Sequence, residues 1–303
     1  MPHLEIVSDV FIVPSGAFPY CNSLVILKEE SIVVDPGCSL EDLRVFLRTH
    51  GLEVKDIDLV LLSHIHPDHI THASRIQRYS QCRIIANEIT EPCFNNKELM
   101  KEFLGFIPSN PVRSQWEELV NSRMNGALDE GMVDEVLGDR DRLSVGDITL
   151  RMLYTPGHLP DHMCIEIEEA NLLFAADIDC TEFGPYYGHP NSSIPDFRRS
   201  IEKIQQKDYS GIISGHLRDP LIRDYERALS AYAKQIDVRE DLVLNSILSG
   251  ATSVMEVAKI PIIYPSHPTP VFLQFEIWMI EHHIEALLRK GLVEQRNDQL
   301  RAT

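Results

Sequence analysis

Residues 58–74 read DLVLLSHIHPDHITHAS, and this stretch decides how the chain folds. Leu59, Val60, Leu61 and Leu62 form a continuous apolar run, suited to a strand buried on both faces. Directly behind Ser63 come His64, His66, Asp68, His69 and His72. Crowding imidazoles and a carboxylate behind a buried strand is costly unless something binds them.

The same grammar recurs outward from this segment. An apolar run ends in Asp35 after SIVV, in His158 after RMLYTPG, in Asp177 after LLFAA and in His216 after GIISG. Five strand ends thus deliver His or Asp, and the loops beyond sheet strands are where a rigid scaffold presents functional groups. One such residue reads as ordinary loop polarity; the repetition reads as a site. Neutral imidazole suits zinc and iron, and a carboxylate adds charge and can bridge two ions. Five histidines and two aspartates exceed the needs of one tetrahedral ion and match two ions sharing a carboxylate. No cysteine belongs to the set, so the site keeps open positions of the catalytic type.

The elements around these motifs alternate as in an α/β fold. SLVILK and SIVVD flank a hairpin turn at Glu29–Glu30. SLEDLRVFLRTHG places Leu40, Leu43, Phe46 and Leu47 on one helical face, with Ser39 as N-cap and Gly51 as stop. HITHASRIQRYS reads as a helix, which puts His72 on its surface or behind the ligands, and CRIIA reads as a strand. Residues 88–137 interrupt the rhythm as a helical insertion, long for a simple connection. Hairpins follow at Gly146-Asp147 and around Ala170-Asn171, then the helix IPDFRRSIEKIQQ and the strand GIISGH. From about residue 220 the chain is nearly all helix-compatible, closed by a strand at LVEQ. The expected division is residues 1–220 as the catalytic domain and 221–303 as a small C-terminal one.

The chain has 303 residues, 44% hydrophobic and 24% charged, with a formal charge of −18. That charge opposes binding to phosphate backbones, which depends on clustered Lys and Arg. No apolar run approaches the roughly 18–20 residues that span a bilayer, and no secretory leader is evident, so a cytoplasmic location without membrane contact is expected. The six cysteines are scattered without a C-x-x-C pair and read as reduced core residues.

The motifs together resemble the metallo-β-lactamase superfamily. SHIHPDH matches its His-x-His-x-Asp-His motif, VVDPG its early Asp motif, and TPGH, FAAD and SGH the later ligand motifs in order. The resemblance covers about residues 4–220 and implies an αββα sandwich with the site along one edge of its two sheets. It implies one metal at His64, His66 and His158, a second at Asp68, His69 and His216, and Asp177 bridging. Asp35 would hold a ligand imidazole in orientation, and His162 is a candidate for a similar part. Two divalent ions, Zn2+ before Fe or Mn, would activate water for attack on an electrophilic centre, with Asp68 and Asp177 as the catalytic carboxylates. Leu159 and Leu217 follow the ligand positions His158 and His216 where the family often has a small hydroxyl residue and Gly.

TEFGPYYGHPNSS follows Asp177 closely, so Tyr186, Tyr187 and His189 are candidates to touch a small-molecule substrate. His282 and His283 read as ordinary residues of a C-terminal helix. The last section, with GATSVMEVA and HHIEALLRKGLVE, resembles the winged-helix-like C-terminal domain of the β-lactamase-like protein 2 branch. From Asp237 onward there are nine Asp/Glu against six Lys/Arg, so a nucleic-acid role is disfavoured and site covering or subunit contact, including homo-oligomer formation, is expected. The expected activity is hydrolysis of a small ester, thioester or lactone, as in hydroxyacylglutathione hydrolase. The rivals are a persulfide dioxygenase with one iron at His64, His158 and Asp177, and a metal-dependent ribonuclease.

Overall fold

The structure is a computed structural model describing residues 3–15, 19–297 and 299–303. The first sheet runs in chain order through β1 (Leu4–Val7), β2 (Val10–Val13), β3 (Ser23–Leu27), β4 (Ser31–Val34), β5 (Leu59–Leu61), β6 (Arg83–Ala86) and β7 (Glu135–Val136). It begins as an antiparallel meander and becomes parallel from β4 onward. The second sheet contains β8 (Arg142–Val145), β9 (Ile148–Tyr154), β10 (Met163–Ile167), β11 (Leu172–Ala176), β12 (Gly211–Ser214) and β13 (Leu221–Ile222), also as sequential neighbours.

Alternation along the strands explains why the sheets stack. In β2, Val10 and Ile12 face the other sheet while Phe11 and Val13 face helices. In β11, Leu172, Phe174 and Ala176 join the same inter-sheet core, while Leu173 and Ala175 face outward. A period of two with both faces apolar requires a cover on each side. Over the first sheet that cover is α1 (Leu40–Thr49), α2 (Pro67–Ile70), α3 (Ala73–Ser80), α4 (Thr90–Asn95), α5 (Lys97–Phe103) and α6 (Arg113–Arg123). Over the second it is α7 (Ile194–Gln205), α8 (Tyr225–Leu248), α9 (Val254–Ala258) and α10 (Pro270–Arg289). The result is the expected αββα sandwich with a helical C-terminal region.

Local chemistry places several boundaries as read. Ser39 accepts from Asp42 N at the start of α1, a cap worth about 1 kcal/mol. Gly146 takes the positive φ of the β8–β9 turn, and Asn171 takes it before β11. Two readings need correction. HITHASRIQRYS is two helices, broken at Thr71–His72, with His72 buried at the start of α3 and not on its surface. The insertion closes with the edge strand β7. The closing strand expected at LVEQ is β14 (Val293–Arg296), and it pairs with a further strand, β15 (Gln299–Ala302), because Asn297 supplies a positive-φ turn between them.

Candidate metal centre

The C-terminal ends of β4, β5, β9, β11 and β12 point to one edge of the sandwich. Asp35 itself and Ala176, the residue before Asp177, have φ of 48° and 44°, so both strands turn sharply there. Gly37 lets the strand-end loop touch the motif loop: a Cβ on it would lie 1.9 Å from the Asp68 carbonyl oxygen. The first sheet supplies His64, His66, Asp68 and His69, and the second supplies His158, Asp177 and His216. Asn22, fully buried, ties them together by donating from Nδ2 to the carbonyls of Ser214 and Leu217.

Asp177 is the hub. Its Oδ2 lies 3.2 Å from His158 Nε2, 3.9 Å from His66 Nδ1 and 4.0 Å from His64 Nε2. Its Oδ1 lies 2.6 Å from His69 Nε2 and 3.2 Å from His216 Nε2. Asp68 sits across from it, 2.9 Å from His66 Nδ1 and 3.5 Å from His216 Nε2. Three groups of ligand-type atoms result, His64–His66–His158–Asp177, Asp68–His69–His216 and Asp35–His64–His69. In the third, Asp35 is already taken by hydrogen bonds to His69 and Ser63, which leaves the first two as donor groups. Buried His64 Nε2, His66 Nδ1, His158 Nε2 and Asp68 Oδ1 make no hydrogen bond within the protein. Unpaired buried polar atoms aimed at one point are costly unless a cation completes them, so the donor set fits a pair of divalent ions.

Hydrogen bonds on the far ring nitrogens assign the tautomers. Asp35 Oδ2 accepts from His69 Nδ1 at 2.8 Å and from Ser63 Oγ at 2.6 Å. Since Ser63 Oγ donates to Asp35, its lone pair accepts from His64 Nδ1 at 2.8 Å. The Tyr186 carbonyl accepts from His158 Nδ1 at 2.9 Å. His64 and His158 therefore each present an Nε2 lone pair inward, while His69 points its Nε2 at Asp177 Oδ1, 2.6 Å away. His189 does the converse for His66. Its Nδ1 donates to the Leu104 carbonyl at 2.9 Å, so its Nε2 accepts from His66 Nε2 at 3.4 Å and leaves His66 Nδ1 free. Such partners fix ring orientation and ligand basicity.

Protonation follows from the surroundings. Burial holds the imidazole of His64 well below its ordinary range and that of His158 down to about 3, so both are neutral at pH 7. Burial alone would raise Asp177, but His69, His158 and His216 outweigh it and keep the carboxylate well below the usual range. Burial opposes a charge on His216 as well, yet Asp177 and Asp68 lift it to about 9. The side chains of His66 and His216 retain 20% and 18% exposure while those of His64, His69 and His158 retain none. The centre therefore opens between His66 and His216.

The other predicted residues fall in different places. Asp35 bonds His69 and the Ser63 amide, and His162 Nε2 accepts from the Asp177 amide at 3.1 Å. Tyr186 stacks on His66, with centroids 5.9 Å apart. Tyr187 is corrected: it is fully buried, its hydroxyl 2.7 Å from His283 Nε2, and it turns away from the opening. His189 is also corrected, since it is buried with both ring nitrogens engaged and so supports His66 without facing a substrate. His282 and His283 grip this loop, His282 Nε2 donating to the His189 carbonyl at 2.8 Å. Leu159 packs in the helix-covered core of the first sheet.

Several supporting residues escaped the sequence reading. Asp161, fully buried and pushed up to about 6 by burial, accepts from Ile65 N at 2.7 Å and from Thr90 Oγ1. Tyr232 donates to the Asp177 carbonyl at 2.9 Å, and Arg239 donates to the carbonyls of Phe183 and Pro185. Only Asp161, beside His162 in the TPGH segment, carried a local signal. The six cysteines are free, and burial raises the thiols of Cys21, Cys38, Cys93 and Cys164 to about 12. None of those four is a ready nucleophile.

A cluster of His and Asp side chains on one edge of an αββα sandwich defines a metal-binding type of scaffold. The family described as "Metallo-beta-lactamase superfamily" matches residues 16–216, and the chain belongs to it. A metallo-beta-lactamase family protein of Thermus thermophilus superposes with a TM-score of 0.78 at 21% identity, covering 99% of this chain and 100% of its own. A beta-lactamase domain protein of Burkholderia ambifaria gives 0.73 at 15% identity, covering 99% and 93%. These likenesses show the fold. In sequence, an uncharacterised protein of Aquifex aeolicus is 23% identical over 212 residues, 68% of this chain and 87% of its own. The lactamase-like protein nscB of Arthroderma otae is 26% identical over 203 residues, 67% of this chain but only 45% of its own length. Among the described residues no helix is long and apolar enough to cross a membrane.

Proposed function

We propose that this chain is a metal-dependent hydrolase, using two divalent ions to cleave a small ester, thioester or lactone. The observation that carries this reading is the division of Asp177, one oxygen toward His64, His66 and His158 and the other toward His69 and His216. A carboxylate so divided suits a bridge between two ions better than a ligand to one. Zinc is the first choice on the donor set. When bound, the ions would supply activated water at neutral pH and polarise the carbonyl under attack.

The protein's own groups do the rest. Asp177 and Asp68 bring negative charge to offset the two cations. Asp68, 9% exposed at the side chain, borders the opening and can orient the attacking water and take its proton. His64 and His158 are held as neutral, inward-facing bases by Ser63 and the Tyr186 carbonyl, and Asp35 orients His69. In the reaction the water oxygen bonds to the acyl carbon, the acyl bond to oxygen or sulfur breaks, and one proton passes to the leaving group.

Elemental analysis of protein purified without added metal, beside a panel of thioesters, lactones and phosphodiesters, tests the reading. Two zinc ions per chain with thioester or lactone turnover is the expected result. One iron per chain with oxygen consumption would replace it with the dioxygenase alternative, and salt-sensitive RNA cleavage would replace it with the nuclease.

A further inference from the structure

Beside the opening lies a closed circle of aromatic rings. Tyr186, stacked on His66, contacts Phe183 at 6.4 Å between centroids, Phe183 contacts Tyr264 at 5.2 Å, and Tyr264 contacts Phe272 at 5.5 Å. Phe272 contacts Phe275 at 6.2 Å, and Phe275 returns to Tyr186 at 6.0 Å. The five rings come from three segments: the loop after β11, the loop before α10, and the first turns of α10. All five keep partial exposure, whereas the core aromatics Phe94, Phe106, Phe174, Phe197 and Tyr187 are fully buried. A contiguous group of aromatic rings left half-covered beside a reactive centre is a surface awaiting a partner.

The circle is also held in shape by two buried charges that the chemistry does not use. Glu276, fully buried, accepts from the amides of Ile262 and Ile263 at 3.0 Å and of Tyr264 at 2.9 Å, fixing the Tyr264 corner. Arg239 donates to the carbonyls of Phe183 and Pro185, and its guanidinium lies over the Phe183 ring at 4.8 Å, fixing the adjoining corner. Burying two charges to set loop corners makes sense if the rings must already be in place when a ligand arrives. Flat rings meeting at steep angles offer edges and faces to another flat ring, and far less to a short alkyl chain.

From this we infer that the aromatic circle is the subsite for an aromatic acyl group, whose carbonyl is presented to the metal centre past His66. The inference rests on the hydrolase reading above and names its substrate class. It makes Tyr264, Phe272 and Phe275 specificity-determining residues contributed by the C-terminal region.

The test compares a 2-naphthoyl and an acetyl thioester of the same thiol in the zinc-loaded protein, with 2-naphthoate and acetate binding measured calorimetrically alongside. The expected result is a kcat/KM ratio of at least about tenfold for naphthoyl over acetyl. Binding of 2-naphthoate without acetate binding should accompany it. Phe275→Leu, which keeps apolar volume and so the fold, and Tyr264→Ala should lower that ratio several-fold, chiefly through KM. They should weaken 2-naphthoate binding in parallel, while Tyr264→Phe retains both. Acetyl turnover with no naphthoyl preference, or a ratio unmoved by Phe275→Leu and Tyr264→Ala, overturns the subsite and leaves the hydrolase standing. If neither thioester turns over, nor any lactone or ester of the panel, the hydrolase reading fails, and 2-naphthoate binding lost in Phe275→Leu and Tyr264→Ala still supports the aromatic subsite. Absence of such binding overturns it.

Discussion

Asp177 carries the largest share of the candidate chemistry because its two oxygens face different sets of imidazoles. Asp177→Asn keeps the shape and removes the charge, so one amide nitrogen would be turned toward a cation. Metal content should fall from two ions per chain to one or fewer by elemental analysis, and hydrolysis by at least roughly 100-fold. The partners behind the ligands give a graded version of the same test. His189→Leu removes the acceptor that keeps the proton on His66 Nε2, leaving every other ligand in place. Metal affinity in a chelator competition should fall about 10- to 100-fold, and His189→Gln, which retains a polar acceptor, should recover part of it. Unchanged affinity in His189→Leu would show that the His66 tautomer is set without this neighbour.

The elements that grip the site come from outside the motif-bearing loops. α8 donates through Tyr232 and Arg239, α10 through His282, and the insertion offers the Leu104 carbonyl, all to the segment between Asp177 and His189. That segment carries the Tyr186 carbonyl that orients His158. Arg239→Met preserves much of the side-chain volume but leaves buried carbonyls unpaired, each costing about 1–3 kcal/mol. It should lower the melting temperature by several degrees and weaken metal binding; a lowered melt with unchanged metal affinity would confine Arg239 to stability. None of these grips was legible in the sequence. The clustering of the seven His and Asp side chains was, because they follow apolar runs and a period-two strand fixes where its end must lie. The sheet layers were legible for the same reason. Tyr187 and His189 were misplaced because loop composition does not reveal which side of the loop a ring takes. His282 and His283 looked ordinary because their partners lie about 90 positions away in sequence.

At the scale of the molecule, the C-terminal layer is welded to the second sheet through a shared core that joins Leu173 and Ile212 to Leu229, Ile236, Met279 and Ile280. His283 sits inside this seam, its Nε2 against the Tyr187 hydroxyl, with Arg239, His282, Arg198 and Lys290 as the charged or titratable neighbours. Burial first, then Arg239, pushes its pKa down to about 3 from an unfolded value near 6.5. A histidine depressed in the folded state stabilises fully above the unfolded pKa, and that contribution fades as pH falls toward the folded one. Its share therefore shrinks by up to about 1.4 kcal/mol per pH unit between roughly pH 6 and pH 3. Burial lifts Asp161 and Asp179 to about 6, which works in the opposite direction, so whole-protein stability alone does not isolate the histidine. The difference between wild type and His283→Gln does. In metal-free protein unfolded by urea, the two should differ most at pH 7.5 and converge by about pH 4.5, because Gln has no proton to gain. Parallel curves across that range would mean that His283 accepts a proton without unseating the seam, and the coupling between the C-terminal layer and the Tyr187 loop would then have to rest on Arg239 and Tyr232.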